Sequence, residues 1–209
     1  MNLAWMKSLS RRQFVGVATS ALVAIPLVRG LTSWALQAGF PEDPDEAAAG
    51  GPENPSWRIT MVAADEPGEP LIVSGTIYAP DGTTPLEGAR LYVYHTDAAG
   101  YYIPRGRIGT RPRLRGWMKT GPDGRYEFRT IRPGSYPGRR NPAHIHAALS
   151  APGHRTRWIR DFLFDGDPFL SPDDYTRFAQ GGRFASIQRV ARGDDGILRY
   201  TRDINIARG

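Results

Sequence analysis

Two histidines, His144 and His146, stand one residue apart in the run Pro142-Ala143-His144-Ile145-His146. On a β-strand, side chains at i and i+2 project from the same face with Cβ atoms about 6 to 7 Å apart, so two imidazoles can converge there on one ion. The chain has 4 histidines, and this pair uses half of them. The other two, His95 and His154, are candidates to extend the pair into a three- or four-histidine site of the zinc or copper kind. His95 ends the face formed by Leu91 and Val93, where a core or rim position is the commoner fate, and His154 sits in a Pro-Gly-His turn. The absence of cysteine excludes thiolate zinc sites, iron–sulfur clusters, cysteine nucleophiles and disulfide frameworks together. Any metal must therefore be held by His, carboxylate or Tyr. No His-Glu-x-x-His helix or dense carboxylate cluster marks a metal-dependent hydrolase.

A strand is thus required at 144–150, and the rest of the chain supplies its partners. Period-two apolar alternation recurs at 71–78, 89–95, 125–130, 158–164 and 197–206, between Gly, Pro and Asp clusters that include Asp81-Gly82, Asp123-Gly124 and Pro133-Gly134. This pattern predicts a mostly β chain, an antiparallel β-sandwich with long loops and one or two short helices. Ile145, Ala147 and Leu149 then face the core, opposite the two histidines. Ser171-Pro172-Asp173-Asp174 reads as a helix start, with Ser as the cap and Pro at the first helical position. Residues 36–56 are rich in Pro, Gly, Ala and acids without apolar periodicity, which predicts a linker and places the domain at 57–209.

The 209 residues, 11% aromatic and 23% charged, fit one globular domain with a sizeable core. The net charge of +6 is unevenly placed: Lys7, Arg11, Arg12 and Arg29 fall in the first 35 residues, which hold no acid. The small excess left elsewhere gives no footprint for a nucleic-acid partner. Ser10-Arg11-Arg12-Gln13-Phe14-Val15 followed by the apolar stretch 16–28 reads as a twin-arginine (Tat-type) export leader over 1–35. That stretch is shorter than the about 20 apolar residues a membrane-spanning helix needs. The expectation is a periplasmic or extracellular protein that meets a membrane only through an uncleaved leader. A homo-oligomer is compatible with the sequence.

Four pieces of the chain, in order, carry a family resemblance: Val93-Tyr94-His95-Thr96-Asp97-Ala98-Ala99-Gly100-Tyr101-Tyr102; Thr120-Gly121-Pro122-Asp123-Gly124-Arg125-Tyr126-Glu127-Phe128-Arg129-Thr130-Ile131; Arg132-Pro133-Gly134-Ser135-Tyr136-Pro137; and Pro142-Ala143-His144-Ile145-His146. From Val73 to Ile206 the sequence resembles the intradiol ring-cleavage dioxygenases, the catechol and protocatechuate dioxygenases with non-haem ferric iron. The resemblance implies Tyr102, Tyr136, His144 and His146 as metal ligands, with Tyr101 in place of Tyr102 if the Gly turn is one residue shorter. It implies Fe(3+) as cofactor, a catechol-type substrate and O2 as partners, and a muconate-type diacid as product. Tyr136 would serve as both ligand and base.

The residue chemistry agrees with that set, because tyrosinate is a hard anionic oxygen donor and two of them beside two imidazoles favour a ferric ion. The family usually places an Arg three residues before the first ligand histidine; Asn141 stands there in this chain, with Arg139 and Arg140 just upstream. The expectation is that Arg140 takes the role from a shifted loop. Between Tyr102 and Lys119 lie Arg105, Arg107, Arg111, Arg113 and Arg115 without an acid. This stretch reads as a long loop, either merely solvated or able to accept an anionic catechol.

A second reading comes from Val73–Gly82, Pro85–Ala89 and Thr120–Tyr126, which also resemble transthyretin-like and carboxypeptidase-regulatory sandwich domains, non-catalytic binding modules. The Pro-Ala-His-Ile-His run separates the two, since such modules have no need of paired histidines on one strand face.

Overall fold

The computed structural model describes residues 43–107 and 109–207. The expected leader and the first part of the expected linker lie outside them. The elements in order are α1 (Pro44–Ala48), β1 (Arg58–Thr60), β2 (Pro70–Tyr78), β3 (Arg90–His95), β4 (Leu114–Lys119), β5 (Arg125–Ile131), β6 (His144–Ala151), β7 (His154–Phe164), α2 (Pro172–Phe178), β8 (Ile187–Gln188), β9 (Val190–Arg192), β10 (Leu198–Thr201) and β11 (Ile204–Asn205). One sheet runs β1-β5-β2-β10-β9 with β11 also on β2, and the other runs β4-β3-β6-β7-β8. The long central pairs β2–β5, β3–β4, β3–β6 and β6–β7 are antiparallel, while β1–β5, β2–β10, β2–β11 and β7–β8 are parallel.

The sandwich forms because each inner strand offers one apolar face. Leu71, Val73 and Ile77 of β2, Tyr126 and Phe128 of β5, and Tyr200 of β10 pack against Leu91 and Val93 of β3, Ile145, Ala147 and Leu149 of β6, and Phe162 of β7. Phe162 anchors this core, meeting Phe128 edge-on at 6.2 Å and Tyr126 at 6.4 Å. Each such ring contributes about 1.5 to 3 kcal/mol by leaving water. Ile145, Ala147 and Leu149 are buried as their alternation predicts. Helix α2 begins as its sequence predicts: the Ser171 hydroxyl accepts from the Asp174 N–H and the Asp174 carboxylate accepts from the Ser171 N–H, a reciprocal capping box.

The second sheet is covered on its outer face too, and here the structure departs from the sequence expectation. Asp43 caps α1 by accepting from the Asp45 and Glu46 N–H groups, and Pro44 occupies the first helical position. Ala47 is buried in a cluster with Tyr92, Tyr94 and Ala148, against which Trp117 and Trp158 pack. Trp117 Nε1 donates to the Ala48 carbonyl at 2.7 Å and Arg111 to the Ala49 carbonyl at 2.8 Å. The folded unit thus begins before residue 57, because Trp117 of β4 and Arg111 of the loop before it cap the carbonyls that a five-residue helix leaves open. The arginine-rich stretch is likewise not all loop: its end is β4, where Leu114, Gly116 and Met118 alternate inward. Gly116 on the inward face and Trp117 on the outward face conceal that period in the sequence.

Candidate metal centre

Strand β6 turns His144 and His146 to the outer face of the second sheet, directly behind the buried Ile145 and Ala147. Tyr94 of β3 is the cross-strand partner of His146, and their rings stack at 4.6 Å. On the other side of β6 the register with β7 shifts between Ile145 and Ala147. Ile159 and Phe162 both face the core although they are three residues apart, the mark of a bulge, and Asp161 is turned toward His146.

Tyr102 and Tyr136 come from two loops that dock on each other. The Gly134 N–H donates to the Asp97 carbonyl at 2.9 Å, and Thr96 Oγ1 donates to the Gly134 carbonyl at 2.7 Å. The Asp97 carboxylate accepts from the Ala99 and Tyr101 N–H groups and shapes the turn before Tyr102. This close approach needs two glycines. Gly100 has φ 86, and a Cβ there would strike the Ser135 carbonyl; a Cβ on Gly134 would strike the Ala98 carbonyl.

Four atoms meet as a result. Tyr136 Oη lies 3.0 Å from His144 Nε2 and 3.3 Å from His146 Nε2, the two Nε2 atoms are 3.0 Å apart, and His146 Nε2 is 2.7 Å from Tyr102 Oη. The two phenol oxygens are themselves in contact. His144 Nδ1 lies 2.7 Å from the Pro142 carbonyl and His146 Nδ1 lies 2.9 Å from Asp161 Oδ1. Both partners only accept, so each Nδ1 holds its ring's proton and each Nε2 presents a lone pair. Two lone pairs 3.0 Å apart repel each other, and two phenol protons cannot serve five contacts. A cation among the four atoms removes the conflict. Donors spaced near 3 Å surround a centre about 2 Å from each, the length of a metal–nitrogen or metal–oxygen bond. The residues fit a metal.

Electrostatics point the same way. Burial pushes the Tyr102 and Tyr136 phenols above their ordinary pKa, so without a cation both stay protonated at neutral pH. Burial and neighbouring His146 lower His144, which keeps it neutral and able to ligate. Burial tends to raise the Asp161 carboxyl, but the His146 hydrogen bond and nearby positive charge bring it below its ordinary value. Asp161 groups with His144 and His146 as a metal-type cluster. Its oxygen faces Nδ1, however, so its place is behind the imidazole, where a carboxylate fixes tautomer and ring orientation.

Other candidates are placed elsewhere. Tyr101 is half-buried with Arg105 over its ring at 5.6 Å. His95 is fully buried in the core, its Nδ1 donating to the Thr96 carbonyl and its Nε2 accepting from Thr130 Oγ1, both at 2.7 Å; burial lowers its pKa to about 4. His154 is exposed at the start of β7. Arg140 is exposed, its guanidinium 5.7 Å from the centre of the Phe169 ring. A cavity of about 370 Å³ beside His144 has Pro142, Ile159, Leu163 and Phe178 among its walls, with Arg160 as its cation and Asp161 and Asp174 as its acids. Arg113 pairs with Glu66 at 2.6 Å and Arg111 holds α1, so these loop arginines serve the fold. Sequence reasoning missed Asp161 and Tyr94. Tyr94 was legible as the outward neighbour of Val93, whereas Asp161 owes its aim to a bulge that no alternation reveals.

Fold and donor set together define a candidate β-sandwich metalloprotein. A sequence profile described as Dioxygenase (Dioxygenase_C) matches residues 44–207, and the chain belongs to the intradiol ring-cleavage dioxygenase family. It is 35% identical over 127 residues to catechol 1,2-dioxygenase 1 of Acinetobacter lwoffii, covering 52% of this chain and 40% of that protein. It is 32% identical over 160 residues to chlorocatechol 1,2-dioxygenase of Rhodococcus opacus, covering 68% and 60%. The dioxygenase domain of a dioxygenase carbohydrate-binding protein fusion from Streptomyces sp. SirexAA-E superposes with a TM-score of 0.56 at 30% identity, covering 74% of this chain and 90% of that one. The chain spans about half the length of the curated relatives it matches. The family implies non-haem iron.

Proposed function

We propose that the chain is a non-haem ferric iron dioxygenase that cleaves a catechol-type ring between its two hydroxylated carbons. Both atoms of O2 enter the product, a muconate-type diacid. The observation that carries this reading is the meeting of two phenol oxygens and two tautomer-fixed imidazole nitrogens. A metal-free sandwich module has no use for such a set.

Tyr102, Tyr136, His144 and His146 would hold the ion. When bound, ferric iron supplies Lewis acidity that draws electron density from the catechol ring and readies it for O2. The chain's own residues do the rest. His144 and His146 keep their Nε2 lone pairs aimed inward through Pro142 and Asp161. Tyr102 is 6% exposed and sits under Tyr94, so it stays a fixed ligand. Tyr136 is more accessible, and its Oη is placed to take a proton from a catechol hydroxyl. The cavity beside His144 offers Pro142, Ile159, Leu163 and Phe178 to an aromatic ring, with Arg160 as the cation on its wall. Arg160 therefore replaces Arg140 in the role of stabilising charge on the substrate. The twin-arginine leader supports export of the folded protein.

The test is a visible spectrum of the full chain loaded with ferric iron, followed by oxygen uptake with catechol. The reading expects a tyrosinate-to-iron charge-transfer band that shifts or weakens in Tyr136→Phe, and consumption of one O2 per catechol. A colourless protein that retains no iron would sink it.

A further inference from the structure

A second cavity, of about 310 Å³, lies on the other side of Arg160 and Ser186, the two residues it shares with the cavity beside His144. Its walls include Arg202, Ser186, Asn205, Gln180 and Arg160, and no Asp or Glu. The central feature is Arg202, only 2% exposed. Its Nη1 donates to the Arg160 and Asp161 carbonyls at 2.8 and 3.2 Å, and its guanidinium carbon lies 4.8 Å from the centre of the Phe162 ring. Its Nε has no partner, and among the described residues no carboxylate forms an ion pair with it. Asp161 acts on it electrostatically, but from beyond ion-pair distance and while bonded to His146; a buried guanidinium with no carboxylate in direct contact is costly.

Ser186 repeats the pattern. It is 2% exposed and its carbonyl is used twice, accepting from the Leu163 N–H at 2.9 Å and from Tyr200 Oη at 2.7 Å. Its hydroxyl has no partner. The Ser186 hydroxyl and Arg202 Nε, both buried and without a partner, thus belong to residues that line one cavity together with the exposed Arg160. Each lacks an acceptor that a single anion would provide.

We propose that this cavity binds a small organic carboxylate. The planar guanidinium matches a carboxylate's two oxygens, and Phe184 and Ile204 on the same wall suit a carbon skeleton. The space exceeds what an inorganic oxyanion needs and falls in the range of small-molecule pockets. The carboxylate either belongs to a free aliphatic acid or is carried by an aromatic ring in the adjoining cavity. The site shares Arg160 and Ser186 with the cavity beside His144 but takes Arg202, Gln180 and Asn205 as its own and includes no metal-ligand candidate.

The test is calorimetric titration of the full chain with succinate, benzoate and sulfate at fixed ionic strength, before and after iron loading. Saturable carboxylate binding is expected in both forms, weakened on the order of tenfold in Arg160→Ala through loss of a charge-assisted bond. Ser186→Ala should weaken it by a smaller factor and, without ligand, melt no lower than the parent, since its hydroxyl makes no bond. These two variants keep the test informative if Arg202→Lys, which should also bind more weakly, does not fold. Tighter binding of benzoate assigns the carboxylate to a ring, and tighter binding of succinate to a free aliphatic acid. Binding of sulfate alone, binding unaffected by Arg160→Ala and Ser186→Ala, or binding that requires iron and vanishes in Tyr136→Phe would each overturn the proposal. The last outcome would leave the dioxygenase reading standing.

Discussion

At the scale of single residues, the centre is a matter of where protons sit. Pro142 and Asp161 hold the imidazole protons on Nδ1, and burial holds the phenol protons on Tyr102 and Tyr136. A cation that takes the four donors must therefore expel two phenol protons. Metal affinity should rise with pH across the neutral range, by up to about a hundredfold per pH unit for two protons released. Calorimetry in buffers of different ionisation enthalpy counts those protons; zero release would show that the phenols do not ligate. Asp161 acts through His146, so Asp161→Leu should lower metal affinity by about 10- to 100-fold while His144 and the tyrosines stay in place. Asp161→Asn, which keeps an acceptor for Nδ1–H, should recover part of that loss in the same titration.

Among the elements, the decisive contact is between the loop after β3 and the loop before β6. Neither loop has regular structure, and each is held by the other's backbone through Gly134, Thr96 and Asp97. Gly134→Ala drives a methyl group into the Ala98 carbonyl and should separate Tyr136 from Tyr102. The two-sheet core lies elsewhere, so the variant should remain folded by circular dichroism yet lose bound iron and its colour. Retention of both would show that the loops adapt. The β7 bulge is the second such device. It keeps Ile159 and Phe162 in the core while moving Asp161 behind His146, and Arg202 pins it by donating to the Arg160 and Asp161 carbonyls.

For the whole molecule, His95 links the two sheets: it lies on β3, and Nε2 accepts from Thr130 of β5. Its folded pKa is depressed from 6.5 to about 4 because burial disfavours the charged ring. The unfolded chain therefore takes up the proton first as pH falls. Stability is complete above pH 6.5, declines between 6.5 and 4, and levels off below, a loss of about 3 kcal/mol at most. Urea unfolding at pH 7 and pH 4.5 should show the parent losing about 2 to 3 kcal/mol more than His95→Gln. Equal losses would show that His95 is not the titrating group. The same burial keeps this imidazole out of the metal centre, although it lies next to Tyr94 in the chain.

What is local was legible along the chain. Alternation in 144–150 placed His144 and His146 on one face and Ile145, Ala147 and Leu149 on the other, and Ser171 with Pro172 marked the start of α2. The two tyrosines were legible only through the order of motifs around them, since neither sits in a periodic element. Tertiary packing brought the donors of residues 102, 136, 144 and 146 together, each within 3.3 Å of at least one other. It also decided that Arg140 stacks on Phe169 while Arg160 lines the cavity, that Asp161 rather than an alternating neighbour supports His146, and that 44–48 folds as a helix onto Trp117. The physical reason is common to all four. Periodicity reports which face of an element avoids water, whereas a bulge, a glycine-mediated loop contact and a helix held by distant side chains depend on partners far along the chain.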